Sequence, residues 1–122
     1  TGAVGTQNIF FELASRAAAR EAAARILSTV RQFVRGEVSD PFFFSVISGF
    51  LAALPGLTDD ATAHAECVAV LRMLAALGYV EPGNGNERFL TSSYDADVLT
   101  EVAVERGTIV RTINDSIAAS GL

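Results

Sequence analysis

The sequence predicts a single all-α domain over residues 1–122, a bundle of four to five helices with one short extended or turn segment near 79–91. Apolar residues recur at helical spacing along most of the chain. Alanine is abundant and proline occurs only three times, a composition that favours helix. Gly, Pro and Ser/Thr/Asp positions divide the chain into helix-length pieces.

The first helical stretch is predicted from about Ile9 to Arg35, with a break near Ser15 left open, and Gly36 is a suitable C-terminal stop. Its predicted apolar side consists of Leu13, Ala19, Ile26, Leu27, Val30, Phe33 and Val34. Asp40-Pro41 is typical of an N-cap followed by a proline at the first helical position. A second helix therefore begins there and ends at Pro55-Gly56. Its predicted core residues are Phe43, Val46, Ile47, Phe50, Leu51 and Leu54.

Thr58 is predicted to cap a third helix, which ends at Gly78. A last helical region follows a cap at Ser92 or Ser93, and Gly107 marks a point at which it could divide. The apolar stripe predicted for the third helix is Cys67, Val70, Leu71, Leu74 and Leu77.

Charge is distributed unevenly along the chain. Residues 1–36 hold five arginines and two glutamates, a net of +3, whereas residues 37–122 hold four arginines and twelve acidic residues, a net of −8. The overall charge of −5 argues against non-specific phosphate binding by the whole domain. All nine basic residues are arginine, which suits forked pairing with carboxylates or phosphates.

No residue pattern points to catalysis, a cofactor or a metal. His64-Ala65-Glu66 matches part of the zinc deaminase motif, but that motif also needs a cysteine pair, and Cys67 is the only cysteine. A structural zinc site wants four Cys or His ligands. Gly83-Asn84-Gly85 has no preceding strand and is interpreted as a turn. We expect a non-enzymatic protein without cofactor, metal or membrane span, in the cytoplasm.

The stretch from Leu77 to Thr91 also allows a winged-helix DNA-binding domain, with the preceding helix as recognition helix. That helix would offer DNA a single basic residue, Arg72. The turn carries Glu81 and Glu87, and a wing that faces phosphates should not be acidic. We therefore interpret the stretch as a helix stop after which Tyr79-Val80 folds back on the core, and keep the winged helix as an alternative.

Two surfaces are candidates for contact with a partner. Phe42, Phe43 and Phe44 cannot all face one side of a helix, so Phe42 and Phe44 are either covered by a neighbouring helix or wall an apolar groove. The second surface is an arginine stripe on the first helix, which is either a solvated flank or a docking face for an anionic partner. Its candidate partner-binding residues are Arg16, Arg20, Leu27, Arg31, Val34 and Arg35.

Several short stretches, in their order and spacing, carry a family resemblance. They are Thr1-Gly2-Ala3, Asn8 to Leu13, Ala24 to Leu27, Gly36-Glu37, Pro41-Phe42-Phe43, Val70 to Leu74, Leu77-Gly78-Tyr79, Ile113-Asn114 and Ser120-Gly121-Leu122. On these stretches, which cover nearly the whole chain, it resembles the C-terminal helical region of RecO, a bacterial recombination mediator.

The resemblance implies a role in DNA repair and recombination after DNA damage. RecO proteins load the recombinase together with RecR and anneal strands coated by single-stranded DNA-binding protein (SSB). Their DNA contacts lie mainly in an amino-terminal OB-fold, for which this chain has no room, so we expect a fragment of a longer protein. In some members the helical domain holds the acidic, Phe-ended tail of SSB. Some members also carry a four-cysteine zinc element, which the lone Cys67 does not allow.

We therefore expect a RecO-like interaction domain whose partners are the SSB tail and RecR. The tail would dock beside the arginine stripe, where Arg31 and Arg35, one turn apart, flank Leu27 and Val34. The alternatives are a winged-helix transcriptional regulator domain and an unrelated helical adaptor.

Overall fold

The computed structural model describes residues 17–34, 36, 38, 40–83 and 85–121. This part of the chain forms five α-helices and two 3-10 turns, without a strand, and so confirms the predicted all-α bundle. None of the described helices is both long and apolar enough to cross a membrane. The helices are α1 (Ala17–Phe33), α2 (Pro41–Ala53), α3 (Asp59–Ala76), α4 (Ala96–Val104) and α5 (Arg106–Ser120), and the turns are Leu54–Gly56 and Glu87–Phe89.

Helix α3 is the centre of the bundle, because α1, α2, α4 and α5 all pack against it. A helix enclosed on several sides is buried around most of its circumference. Its apolar residues therefore do not form one clear stripe at helical spacing in the sequence. The predicted stripe on this helix was therefore too narrow. Leu71 and Leu74 are buried as expected, whereas Cys67, Val70 and Leu77 are only half-buried. The buried residues of α3 are Thr62, Ala65, Val68, Ala69, Leu71, Arg72, Met73 and Leu74.

The predicted helix ends of α2 and α3 are confirmed. Asp40 caps α2 by accepting a hydrogen bond of 2.9 Å from the Phe42 N–H, ahead of the proline at the first helical position. Thr58 caps α3 by accepting one of 3.1 Å from the Ala61 N–H. At the other end of α3, Gly78 has φ +87° and the Tyr79 N–H donates to the Leu74 carbonyl at 2.8 Å. That is the Schellman arrangement, in which a left-handed glycine stops the helix.

The predicted cap of the last helical region was wrong. Asp95, rather than Ser92 or Ser93, caps α4 by accepting from the Val98 N–H at 3.0 Å. Ser93 supports it through a hydrogen bond of 2.8 Å to the Asp95 carboxylate. The region divides at Glu105, two residues before Gly107, so α4 and α5 form a bent pair.

The described residues of 79–91 form turns and the 3-10 turn Glu87–Phe89, and none of them is in a strand. Val80 is buried against the core, as predicted, whereas Tyr79 stays 40% exposed. The segment has no regular backbone ladder, so side chains must hold it in place.

Arg72 of α3 supplies that anchor. It is 0% exposed and donates to the Phe89 carbonyl at 2.5 Å, the Ser93 carbonyl at 2.7 Å and the Thr91 hydroxyl at 3.1 Å. Its guanidinium lies 4.6 Å from the centre of the Tyr94 ring. Tyr94 in turn donates from its hydroxyl to the Val46 carbonyl of α2 at 2.9 Å. Arg72 and Tyr94 thus tie α2, α3 and the segment before α4 together.

Candidate functional site

The predicted arginine stripe lies on the exposed face of α1. Arg20, Leu27 and Arg31 are exposed and fall within about 40° of arc at 100° per residue. Leu27 is 50% exposed, which places it at the edge of the helix's apolar side rather than in the core. Val34 follows the end of α1 and is partly buried against the core. Arg16 and Arg35 lie outside the described residues.

The spacing of these residues fits an extended peptide. Arg20 and Arg31 are eleven positions apart, or about 16 Å along the helix axis. An extended peptide of about five residues covers the same length. Leu27 stands between the two guanidinium groups and offers an apolar contact. The face therefore combines two forked cations with an apolar side chain, the features that an acidic peptide with an apolar residue requires.

Arg25 belongs to the packing of α1 rather than to the stripe. It donates two hydrogen bonds, of 2.7 and 2.8 Å, to the two carboxylate oxygens of Glu66 on α3. The hydrogen bond with Glu66 raises the pKa of Arg25 above its ordinary value. This forked pair fixes α1 against α3 and leaves the Arg20, Leu27, Arg31 face turned outward.

A cleft of about 520 Å³ lies between the 79–89 segment and α5. Its floor includes Leu71, Val80 and Ile109, and Arg88 stands at its edge among carboxylates. Arg88 lies 3.5 Å from a Glu101 oxygen and 3.7 Å from a Glu105 oxygen, and its guanidinium sits 4.7 Å from the Phe89 ring centre.

A smaller cavity of about 410 Å³ lies between α1, α3 and α5 and is lined by Cys67 and Arg106. Burial raises the pKa of the Cys67 thiol, and Arg106 opposes that shift. Arg106 also lies 3.1 Å from Nδ1 of His64, so this histidine is a flank residue in contact with α5. Among the described residues, His, Cys, Asp and Glu side chains form no group of three that could hold a metal.

The phenylalanine triplet divides as the helical period predicts, but only part of it is covered. Phe43 is buried, Phe42 is half-buried, and Phe44 remains 54% exposed with its ring edge against Phe43. Of the two alternatives for the flanking rings, cover by a neighbouring helix does not hold for Phe44, because α2 presents this ring to solvent.

Comparisons of the chain with protein-family models, with curated proteins and with solved structures found no match.

Proposed function

We propose that this chain is a non-enzymatic interaction domain in DNA repair and recombination, with the role that the helical domain plays in RecO proteins. In this proposal its α1 face binds an acidic peptide with an aromatic end, of the kind found at the tail of SSB. The observation that supports it most is the exposure of Leu27 between Arg20 and Arg31 on one helix face. RecR is a second partner that the sequence resemblance implies.

The distribution of charge favours α1 over the cleft beside α5 as the docking face. Arg88 at the cleft already faces Glu101 and Glu105, and Glu81 lies on the cleft wall. An acidic peptide there would meet more carboxylates than cations, and like charges repel. On α1, by contrast, Arg31 lies one turn after the exposed Leu27, and the acidic residue within Ala17–Phe33 is Glu21.

The winged-helix alternative has less support from this geometry. Its recognition helix would be α3, whose single arginine, Arg72, is fully buried and bonded to the segment that would form the wing. A side chain in that position is not presented to a DNA groove. The described part of 79–91 contains no strand pair that could act as a wing.

The proposal can be tested with a fluorescently labelled peptide of Asp and Glu residues that ends in Phe, titrated by anisotropy. We expect micromolar affinity that weakens with salt, because the contacting charges are exposed and the flexible peptide loses entropy on binding. Arg31→Ala should weaken binding about two- to fivefold, the range for exposed ion pairs. Leu27→Asp should weaken it further, because it adds a like charge where the ring would lie.

Arg111→Ala provides the matched control, since Arg111 is an exposed arginine on α5, away from this face. It should leave the affinity unchanged, as should Arg106→Ala. Two results would remove α1 as the docking face. One is no binding at about 1 mM peptide, since specific binding should be tighter than a millimolar dissociation constant. The other is equal affinity of the Arg31, Leu27 and Arg111 variants for the peptide.

A further inference from the structure

A groove of about 640 Å³ runs between the first turns of α3 and the length of α4, on a surface separate from the α1 face. Leu57 and Leu99 supply its large apolar side chains, and alanines supply much of the rest of the wall. Leu99 is only 4% exposed, so it lies at the bottom of the groove and is held by the surrounding core. The alanines that line the groove are Ala53, Ala61, Ala96 and Ala103.

Small wall residues decide what shape of partner fits. Where alanine and glycine line a surface, a helix backbone can approach closely, since no long side chain holds it away. An amphipathic helix places apolar residues at i, i+3 or i+4 and i+7 into such a groove. An apolar side chain of the partner would contact Leu57 and Leu99, and the neighbouring turns of the partner would cover Ala61 and Ala103.

The rim of the groove is acidic. Asp60 on α3 and Asp95 at the start of α4 both line it, and no arginine is among its described lining residues. His64 lines one end, where it faces Arg106. A partner with basic flanks would find complementary charge here, whereas an acidic partner would be repelled.

We propose that this groove binds an amphipathic, basic helix of a partner protein. An apolar anchor of that helix contacts Leu57 and Leu99, and its lysines or arginines pair with Asp60 and Asp95. The inference is independent of the proposed function, because the α1 face is basic and selects an acidic peptide. The two surfaces thus select partners of opposite charge, in line with the opposite net charges of residues 1–36 and 37–122.

The test uses two synthetic helical peptides of Leu, Ala and a charged residue, with leucines at i, i+3 and i+7. One peptide carries lysines and the other carries glutamates at the same positions. Each is titrated into the ¹⁵N-labelled chain, and binding is followed by amide chemical shifts. We expect the lysine peptide to bind more tightly and to shift the amides around Ala61, Leu99 and Ala103.

Two pairs of variants locate the contact. Ala103→Trp should fill the groove and lower the affinity for the lysine peptide about tenfold or more, because the pocket for its apolar anchor is lost. Val104→Trp is the control, since Val104 is 77% exposed and does not line the groove. Asp60→Asn should weaken binding about two- to fivefold, and Asp115→Asn on α5 should not.

Equal affinity of the two peptides, indifference to Ala103→Trp, or shifts confined to another surface would overturn the proposal. A homodimer that Ala103→Trp dissociates, seen by sedimentation, would overturn it as well, because the occupant would then be a second copy. The acidic, Phe-ended peptide serves as a check on specificity. Its binding should be unchanged in Ala103→Trp, so failure here and failure of the α1 proposal are separate results.

Discussion

Replacement of Arg72 by methionine should destabilise the protein strongly, although Arg72 lines neither proposed binding surface. Methionine keeps an apolar stem of similar length but removes all the donors. The carbonyls of Phe89 and Ser93 and the Thr91 hydroxyl then lose their bonds to the guanidinium. The Phe89 carbonyl bond is buried, whereas those to Ser93 and Thr91 are half-buried.

The magnitude follows from these three acceptors. A buried acceptor left without a partner costs about 1–3 kcal/mol, and a half-buried one costs less because water can replace the donor. Methionine also removes the cost of burying the Arg72 charge, so part of the lost stability is regained. That cost is evident in the pKa of Arg72, which burial lowers. The net expectation is a loss of about 2–4 kcal/mol in the free energy of unfolding, or roughly 8–15 °C in Tm for a chain of this size.

Urea denaturation followed by circular dichroism would measure this loss. Arg111→Met is the matched control, because an exposed arginine should change the free energy of unfolding by no more than about 0.5 kcal/mol. Tyr94→Phe, which removes the bond to the Val46 carbonyl, should cost about 1 kcal/mol. A loss below about 1 kcal/mol for Arg72→Met would refute the idea that Arg72 anchors the segment before α4.

Three further results follow from the same structure. The hydrogen bonds from the Val98 N–H and the Ser93 hydroxyl hold the pKa of Asp95 below its ordinary value. The Asp95 carboxylate therefore stabilises the fold fully at pH values above its ordinary pKa. This stabilisation is lost as the pH falls through the lowered pKa of the folded state. Asp95→Ala should therefore be less stable than the wild type at neutral pH, and denaturation at about pH 2 should show that difference reduced. Cys67, whose pKa is raised by burial, should react slowly with a thiol reagent at neutral pH and quickly once the chain is unfolded. Random duplex DNA should bind more weakly than about 1 μM at physiological salt in a filter or anisotropy assay, because the net charge is −5, and tighter binding would revive the winged helix.

Local signals in the sequence were enough to predict the starts of α2 and α3 and the end of α3. Asp40, Thr58 and Gly78 act on backbone groups within a few residues of themselves, so their roles can be predicted without the tertiary fold. The cap at Asp95 was missed because Ser92 and Ser93, just before it, are also suitable cap residues, and the structure uses Ser93 to support Asp95 rather than to cap the helix.

The buried role of Arg72 could not be predicted in this way. Its acceptors lie 17 to 21 residues further along the chain, in a segment without regular structure. The available signal was a lone arginine among Val70, Leu71, Met73 and Leu74 in a helix that is apolar on both sides of it. A charged side chain in such a position must either form hydrogen bonds with buried acceptors or reach solvent, and the sequence did not indicate which of the two occurs.

The two candidate sites also differ in how far they could be predicted from the sequence. The common face of Arg20, Leu27 and Arg31 depends on the helical period alone and was predicted from the sequence. The groove between α3 and α4 depends on how two helices pack, so Leu57, Leu99 and Ala103 showed no sign of sharing a surface.

Amide shift mapping of the acidic, Phe-ended peptide on the ¹⁵N-labelled chain tests the central claim most directly. We expect the largest shifts along one face of α1, at Arg20, Leu27 and Arg31, and we expect them to diminish in Arg31→Ala but not in Arg111→Ala. Shifts concentrated around Tyr79 to Phe89, or no shifts at peptide concentrations of about 1 mM, would contradict it.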